Sequence, residues 1–353
     1  MKINFKSLKM MKGAFIVGEH LLKNKIFDEY LNIYKYDGRI YRFIALKNEL
    51  QRNKIDLFTQ DFFKNEKPDF AIFLDDIFKD DFNLSISKKF LIAFEPPIIL
   101  ASNHNKDLLL KKYSKVFTWN DSLVDDTNFI KFFLSFNLNN IDVPENTVRK
   151  KNITMICENK KSYKQNELYS ERLKIIKWYE KNDSSNFDLY GRGWNKFVFG
   201  RRPFTYLNRF NSIGLFLKIF DKKYSVYKGP IQKKNDILKQ YNFSFCYENS
   251  HNLTGYISEK IFDCFFSYTI PIYKGASNIN KLIPKELFIN TDDFKDISDL
   301  NKYIKSIKND ELLKKRLDIY EYLKSQRVNV FSSEYNAKII ADEICKSLIS
   351  IKK

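Results

Sequence analysis

The sequence predicts an α/β protein with two domains, each built on a parallel sheet. Apolar runs of strand length alternate with segments of helical periodicity along most of the chain, and this alternation is typical of parallel sheets. The 353 residues are enough for two α/β domains of ordinary size. Hydrophobic residues make up 44% of the chain, with 33 Phe and 21 Tyr, so sizeable cores can form and a disordered chain is excluded.

The first half of the chain supplies the elements of one domain. Its predicted strands are 13–17, 55–58, 69–74, 90–94, 115–119 and 129–136, with a helix over 42–51, an irregular or helical segment at 22–34 and a turn at Asp37-Gly38. The polar segment 137–151 contains Pro144 and lacks periodicity, so we interpret it as an interdomain linker.

The end of strand 90–94 carries a candidate catalytic carboxylate. The strand runs directly into Glu95-Pro96-Pro97. A carboxylate at the C-terminal end of a strand, followed by prolines that fix the loop, is a good place for a rigid catalytic group. The alternative is a structural role for Glu95, as a helix cap or a salt-bridge partner.

Four acidic pairs raise the question of a metal site. They are 75–76, 80–81, 125–126 and 292–293. The aspartates of each pair are adjacent rather than spaced as Asp-x-Asp, and the first two pairs flank the apolar Ile77-Phe78, so we favour acidic loops at strand ends. Only three histidines are present, and the four cysteines lack Cys-x-x-Cys spacing. We therefore expect no metal site and free, buried thiols.

The second half repeats the alternation. Its predicted strands are 152–157, 187–190, 242–247 and 269–273, and its predicted helices are 168–179, 233–241 and 297–307, with a last amphipathic helix capped by Ser332 or Ser333. Strand 187–190 ends in Gly191-Arg192-Gly193. An arginine between two glycines can approach a diphosphate with bidentate geometry, although a tripeptide is a weak signal. A basic, aromatic insertion containing Arg201, Arg202 and Arg209 follows at 196–223.

The stretch 242–275 predicts a strand, a polar loop, a helix and a second strand. Ser258 is a good helix N-cap, and Ile261 begins an apolar stripe on the helix. The polar residues of the loop and first helical turn are Asn249, Tyr256, Glu259 and Lys260. A helix N-terminus has free N–H donors and the positive end of the helix dipole, so with a lysine it suits a phosphate. We expect an anionic, nucleotide-linked ligand here.

Motifs in and after this stretch resemble one family. They are Glu248-Asn249-Ser250, Tyr256-Ile-Ser-Glu259-Lys260, Thr269-Ile-Pro-Ile-Tyr-Lys-Gly275, Asn278-Ile279, Ile283-Pro284 and Phe288-Ile-Asn290. Their order and spacing over about fifty residues are similar to the donor-binding signature of the α-1,3-fucosyltransferase family, glycosyltransferase family 10. Lys274 stands where that family commonly has Trp, and Ser258 where it has Thr.

The resemblance implies a GT-B type α/β fold, with two Rossmann-like domains and a cleft between them. The domains would be 1–145 on the acceptor side, 151–330 for the GDP-sugar donor, and a helix at 331–353 that packs back on the first domain. It also implies an inverting transfer of L-fucose from GDP-β-L-fucose to a hydroxyl, O3 of GlcNAc or Glc, of a surface glycan such as lipopolysaccharide O-antigen.

The resemblance also implies roles for the candidate residues. Glu95 would be the general base, although the family usually has Glu-Ser-Pro where this chain has Pro96. Glu259 would be the second catalytic group, which holds the ribose or the fucose and stabilises positive charge. The expected ligands of the sugar nucleotide are Asn249, Tyr256, Lys260 and an arginine, Arg192 first and Arg202 second. Trp119 is either a wall of the acceptor site or a core aromatic.

The net charge of +18 and the pI near 9.4 bear on partners and location. Composition bias is one explanation, and attraction to an anionic inner membrane surface is the other. With no signal-peptide pattern and no long apolar run, we expect a cytoplasmic protein, peripheral at most to the inner membrane. No tightly bound cofactor is expected, and stimulation by Mn²⁺ or Mg²⁺ is left open, as is the oligomeric state.

Three alternatives remain at this stage. The first is transfer of a sugar from another nucleotide donor, because Lys274 and the insertion could reshape the pocket. The second is a basic nucleic-acid-binding protein, which the lack of a basic and aromatic motif disfavours. The third is an inactive carbohydrate-binding relative, which the presence of Glu95, Glu259 and Lys260 disfavours.

Overall fold

The structure is a computed structural model of the whole chain, and it forms two compact units. Unit 1 comprises Met1–Asn140 and Asn329–Lys353, and unit 2 comprises Ile141–Val328. The residues described are 10–34, 38–77, 86, 88–139, 141–145, 149, 151–199, 204–218 and 224–349. The predicted acidic pair 80–81 and the arginines at 201 and 202 lie outside these residues.

The strands within these residues are β1 Met11–Ile16, β2 Ile55–Thr59, β3 Phe70–Leu74, β4 Lys89–Ala93, β5 Lys115–Thr118, β6 Phe129–Lys131, β7 Lys151–Ile156, β8 Phe187–Tyr190, β9 Tyr227–Gly229, β10 Tyr241–Tyr247, β11 Ile270–Lys274 and β12 Ile289–Asn290. The α-helices are α1 Glu29–Tyr34, α2 Tyr41–Arg52, α3 Lys106–Lys112, α4 Tyr169–Asn182, α5 Asn211–Lys218, α6 Lys234–Leu238, α7 Glu259–Phe266, α8 Ile297–Ser306, α9 Asn309–Lys324 and α10 Ser333–Ile349.

Each unit is built on a six-stranded parallel sheet. The order is β2-β1-β3-β4-β5-β6 in unit 1 and β12-β11-β10-β7-β8-β9 in unit 2. The direction of strand addition reverses between β1 and β3 in the first sheet and between β7 and β10 in the second. Such reversal points lie next to the C-terminal strand ends where ligands bind in open α/β sheets. The predicted α/β class is confirmed.

The interior of each sheet is apolar because its strands are covered on both faces. All seven residues of β10 are buried, and it pairs with β7 on one side and β11 on the other. Strands buried on both faces have continuous apolar runs rather than alternating ones. That is why 242–247 could be recognised as a strand from its aromatic residues.

Helix α10, which belongs to unit 1, is joined to three earlier parts of that unit. The Tyr41 hydroxyl donates to Glu334, the Lys115 ammonium contacts Glu343 at 2.8 Å, and the Phe133 N–H donates to the Asn336 side chain. These contacts attach the end of the described chain to the first sheet and its helix α2.

Several predicted elements differ from the structure. Helix 233–241 ends at Leu238, and β10 begins at Tyr241 because that residue pairs with Lys151. Strand 129–136 is only Phe129–Lys131, since Phe136 bonds to Phe331 instead of continuing the sheet. Helices α3 and α9 were not predicted.

Two further predictions can be compared with the described residues. All four cysteines are free, as expected, but only Cys246 and Cys264 are fully buried. None of the helices in the described ranges combines the length and the hydropathy needed to cross a bilayer.

Candidate active site

The N-terminus of α7 is built around a buried carboxylate at the end of β10. Glu248 is fully buried, and its carboxylate accepts hydrogen bonds from the Ser258 N–H at 2.8 Å and the Ser258 hydroxyl at 2.6 Å. The same carboxylate lies 3.1 Å from the Lys260 ammonium. Ser258 also caps the helix, as predicted. Sequence analysis did not assign Glu248 a role, yet it organises the site.

Lys260 remains a cation in this environment. Burial lowers the pKa of Lys260, but the Glu248 carboxylate, with help from Glu259, more than compensates and raises it above its usual value. Two of the three ammonium N–H groups are used by Glu248 and by Ser258 Oγ at 3.0 Å within the described residues. The geometry leaves one donor of a charged, oriented lysine beside a helix N-terminus, which is suited to a phosphate oxygen.

Glu259 lies between two ammonium groups. Its Oε1 is 4.0 Å from both Lys234 Nζ and Lys260 Nζ. Lys234 also pairs with Asp263 at 2.6 Å, and although burial lowers the pKa of Lys234, Asp263 and Glu259 raise it. Lys234 was missed from the sequence because its short helix carries no motif.

A buried arginine holds the loop that follows β10. Arg172 Nη2 lies 2.7 Å from the Tyr247 carbonyl, 2.6 Å from the Glu248 carbonyl and 3.2 Å from Asn249 Oδ1. Asn249 Nδ2 is in turn 3.5 Å from the hydroxyl of Tyr256, which is itself buried. The predicted donor ligands Asn249 and Tyr256 are thus brought together, and Arg172 holds Asn249 in place. Arg172 could have been noticed in the sequence, because it is an arginine on an otherwise apolar face of a predicted helix.

Arg192 is exposed in the loop that follows β8. The preceding Gly191 has φ +131°, and a Cβ there would lie 2.0 Å from the Cys157 carbonyl oxygen, so the turn requires glycine. The Lys160 ammonium, with smaller effects from Arg192 and Lys234, lowers the pKa of Glu158. Basic groups from two loops and from the start of α6 therefore lie near Glu158, which follows β7 beside the point where strand order reverses.

Lys274 replaces the tryptophan common in the resembling family. It forms an ion pair with Asp292 at 3.0 Å, and Asp292 also lies 3.4 Å from His251 Nε2. The Lys274 side chain therefore forms a charge pair at the end of β11. The family commonly has an aromatic side chain at this position, so this chain has a charged group in place of an aromatic one.

The loop that follows β4 in unit 1 places Glu95. The N–H groups of Phe94 and Glu95 both donate to Asp75 Oδ1, at 2.7 and 3.1 Å. The Phe94 carbonyl accepts from Trp119 Nε1 at 2.8 Å. The Glu95 carbonyl accepts from His104 Nε2 at 2.9 Å. Trp119 is fully buried, so its structural role is as a core aromatic.

The acidic pairs have structural partners. Asp76 accepts from the Tyr113 hydroxyl at 2.7 Å and pairs with Lys112 at 3.2 Å. Asp125 caps a turn by accepting from the N–H groups of residues 127, 128 and 129. Within the described part of the chain, no group of three or more His, Cys, Asp or Glu residues is arranged to hold a metal ion.

Comparison with known proteins identifies the family. A family profile described as glycosyltransferase family 10 (fucosyltransferase), C-terminal part, matches residues 147–353. The chain belongs to glycosyltransferase family 10. Its matched region covers more than half of the sequence and includes every candidate donor residue of unit 2.

Two family relatives align with short parts of the chain. The Helicobacter pylori alpha-(1,3)-fucosyltransferase FucT is 43% identical over 75 residues, which is 21% of this chain and 16% of that protein. The mouse 4-galactosyl-N-acetylglucosaminide 3-alpha-L-fucosyltransferase 9 is 34% identical over 91 residues, 25% of this chain and 24% of that protein. The chain thus aligns with only a minor part of the length of these relatives.

Solved structures share the fold of this family 10 chain. A crystal structure of an alpha1,3-fucosyltransferase has a TM-score of 0.52 at 17% identity and covers 94% of each chain. Anabaena HepE in complex with UDP and glucose has a TM-score of 0.52 at 10% identity, covering 95% of this chain and 100% of that one. These likenesses confirm the predicted fold of two Rossmann-like domains of the GT-B type.

Proposed function

We propose that this family 10 chain is an inverting fucosyltransferase. It transfers L-fucose from GDP-β-L-fucose to a sugar hydroxyl, O3 of GlcNAc or Glc, in a surface glycan such as lipopolysaccharide O-antigen. The observation that carries the proposal is the charged Lys260 held by buried Glu248 at the N-terminus of α7. Family membership and the names of the aligned relatives support fucose as the sugar.

Unit 2 binds the donor through its diphosphate. Lys260 and the α7 N-terminus stabilise the negative charge that develops on GDP as the bond to the sugar breaks, and Arg192 adds a second cation. Asn249 and Tyr256 hydrogen-bond the sugar nucleotide. Glu259 lies on the sugar side, where its carboxylate stabilises the positive charge of an oxocarbenium-like transition state.

Unit 1 supplies the base. The Glu95 carboxylate takes the proton of the acceptor hydroxyl while the hydroxyl oxygen bonds to the anomeric carbon. The bond from that carbon to the phosphate oxygen breaks in the same step, and its electron pair leaves with GDP. A single displacement of this kind inverts the anomeric configuration.

The test is release of nucleoside diphosphate from GDP-fucose, GDP-mannose and UDP-sugars, each with and without N-acetyllactosamine. Release of GDP from GDP-fucose that depends on the acceptor is expected. Lys260→Ala leaves Glu248 as an unpaired buried charge, so Lys260→Met combined with Glu248→Gln is the better variant, because a neutral pair avoids that cost. Lys174→Ala, at an exposed ion pair on α4, is the matched control.

The outcomes separate the alternatives. Release from a different donor would retain the fold and the site but reject fucose. Release from no donor, together with salt-sensitive DNA binding, would support the basic nucleic-acid-binding alternative. Loss of release in the double variant and in Glu95→Ala, with Lys174→Ala unaffected, supports the assigned residues.

We also propose peripheral contact with an anionic membrane surface, through the insertion at 196–223. The sequence there has seven Lys or Arg and a single acidic residue, Asp221. Four of its aromatic side chains, Phe204, Tyr206, Phe210 and Phe216, are more than half exposed. Basic segments with exposed aromatics bind anionic lipid surfaces.

Sedimentation with lipid vesicles tests the membrane contact. Binding to vesicles containing phosphatidylglycerol is expected, with loss at high salt and loss in Phe210→Ser combined with Phe216→Ser. Leu317→Ser, at an exposed apolar residue on α9, is the control. Equal binding to phosphatidylcholine vesicles, or full binding by the double variant, would reject this surface.

A further inference from the structure

The backbone around Glu95 is held in an unusual way. Each N–H and C=O group of Phe94 and Glu95 is hydrogen-bonded to a side chain rather than to a neighbouring strand. Asp75 accepts from both N–H groups, Trp119 donates to the first carbonyl, and His104 donates to the second at 2.9 Å, with a longer bond of 3.3 Å from Asn103 Nδ2. These side chains come from three different loops, so three segments converge on one dipeptide.

Asp75, which accepts the two N–H hydrogen bonds, is itself held rigidly. Asp75 is buried and has φ +62°, and its own N–H donates to the Ile92 carbonyl at 3.0 Å. Its Oδ1 also accepts from Asn103 Nδ2 at 2.6 Å, and Asn103 is fully buried. A non-glycine residue with positive φ at a packed strand end is strained backbone that the surrounding structure must hold.

His104, which donates to the Glu95 carbonyl, is held in one tautomer by a chain of hydrogen bonds. The Asn120 side-chain oxygen accepts from the Ser122 N–H and hydroxyl, at 3.1 and 2.8 Å, so its amide nitrogen is directed to His104 Nδ1 at 3.1 Å. With Nδ1 accepting, Nε2 carries the proton and donates to the Glu95 carbonyl. Burial lowers the pKa of His104, which favours the neutral ring that this chain of bonds requires.

We propose that Asp75 and His104 are positioning residues that hold the backbone of residue 95 from both sides, so that its carboxylate meets the acceptor hydroxyl in a reactive geometry. This inference rests on the proposed function, in which Glu95 is the base. These contacts fix the backbone of residue 95, and Pro96 is buried next to it. A misplacement of about 1 Å at a reacting group costs about a hundredfold in rate.

The test is a set of double-mutant cycles with Glu95. His104→Ala, His104→Gln and Asp75→Asn are each made alone and together with Glu95→Gln, and the kcat for transfer, the KM for acceptor and the binding of GDP are measured. His104→Ala is expected to lower kcat about ten- to hundredfold without changing GDP binding. His104→Gln keeps a hydrogen-bond donor and Asp75→Asn keeps a hydrogen-bond acceptor. Both single variants are therefore expected to retain most of the wild-type kcat.

The cycle distinguishes positioning from general stability. In the Glu95→Gln background, His104→Ala is expected to cause little further loss, because the group it positions is already absent. An equal loss with and without Glu95 would overturn the positioning role and leave the proposed function intact. Full activity of Glu95→Gln would reject the base and the inference together. Thermal midpoints identify any variant that fails to fold; if His104→Ala is one, His104→Phe, which keeps a ring but removes the Nε2 donor, takes its place in the cycle.

Discussion

Two strand ends carry candidate residues, one in each unit, and they are organised by opposite means. At the end of β4, side chains bind backbone groups of Phe94 and Glu95, so that the chain itself is held. At the end of β10, side chains bind other side chains through full charges, as in the pair of Glu248 and Lys260. The proposed base would need a fixed backbone, whereas the proposed anion site would need a fixed charge. Hydrogen-bond geometry organises the first region and charge organises the second.

The largest expected effect is at the charged region. Glu248→Ala removes the carboxylate nearest the Lys260 ammonium and the acceptor for the N–H and hydroxyl of Ser258, at a fully buried position. Removing one member of a buried pair costs about 3–5 kcal/mol of folding free energy. Urea denaturation measures this loss. A loss below about 1 kcal/mol would contradict the importance of charge at this strand end.

The second effect is at the region held by backbone contacts. Asp75→Ala leaves the N–H groups of Phe94 and Glu95 without an acceptor, and we expect a cost of about 2–3 kcal/mol, since orphaned buried donors cost about 1–3 kcal/mol. Burial raises the pKa of Asp75, so burying the charge is itself unfavourable. Asp75→Asn keeps an acceptor oxygen without the charge and should therefore be neutral or stabilising. If Asp75→Asn lowered the free energy of unfolding as much as Asp75→Ala does, the negative charge of Asp75 rather than its acceptor geometry would hold this loop.

A smaller effect concerns pH. Burial lowers the pKa of His104 in the folded protein below its ordinary value of 6.5. The unfolded chain therefore takes up a proton as pH falls through 6.5 while the folded chain does not, and stability falls by at most about 1.4 kcal/mol per pH unit from this group. His104→Gln should have a shallower acid limb when denaturation is followed between about pH 8 and pH 5. An unchanged acid limb would show that His104 is not the group responsible.

The smallest effect is at Lys274. Its partner Asp292 has 47% of its side chain exposed, and partly exposed ion pairs contribute about 0–1 kcal/mol. Lys274→Ala should therefore change the thermal midpoint little. Lys274→Trp tests whether the family's common residue alters the KM for the donor. A stability loss above about 2 kcal/mol for Lys274→Ala would mean that the strand end of β11 depends on charge as strongly as that of β10.

The fold class and most strands could be predicted from the sequence because strands buried on both faces form continuous apolar runs. Helix α9 could not, because Arg316 occupies a position on its buried face, 2% exposed and bonded to Asn242, and interrupts the apolar pattern. The end of strand 129–136 was also wrong. Its last residues pair with the segment near Phe331, about two hundred positions later, and no local pattern reveals such a partner.

The sequence names candidate residues but not the residues that hold them. The motif and the N-cap predict Glu259 and Lys260 as donor-site residues, and a strand end followed by prolines predicts Glu95 as the base; these roles stay predictions. The residues that hold these groups were missed, because Arg172 and His104 act through contacts across long sequence separations. A sequence shows which groups carry chemistry more readily than which groups hold them in place.

The attachment of α10 to unit 1 has a consequence for the order in which the chain is made. During synthesis, all of unit 2 is translated before the residues that bond to Tyr41, Lys115 and Phe133. Domains generally fold as units during synthesis. Most of unit 2 can therefore begin to fold while the earlier-made sheet of unit 1 still lacks α10. Ribosome-bound chains stalled near residue 328 would expose the α2 face of that sheet to chaperones.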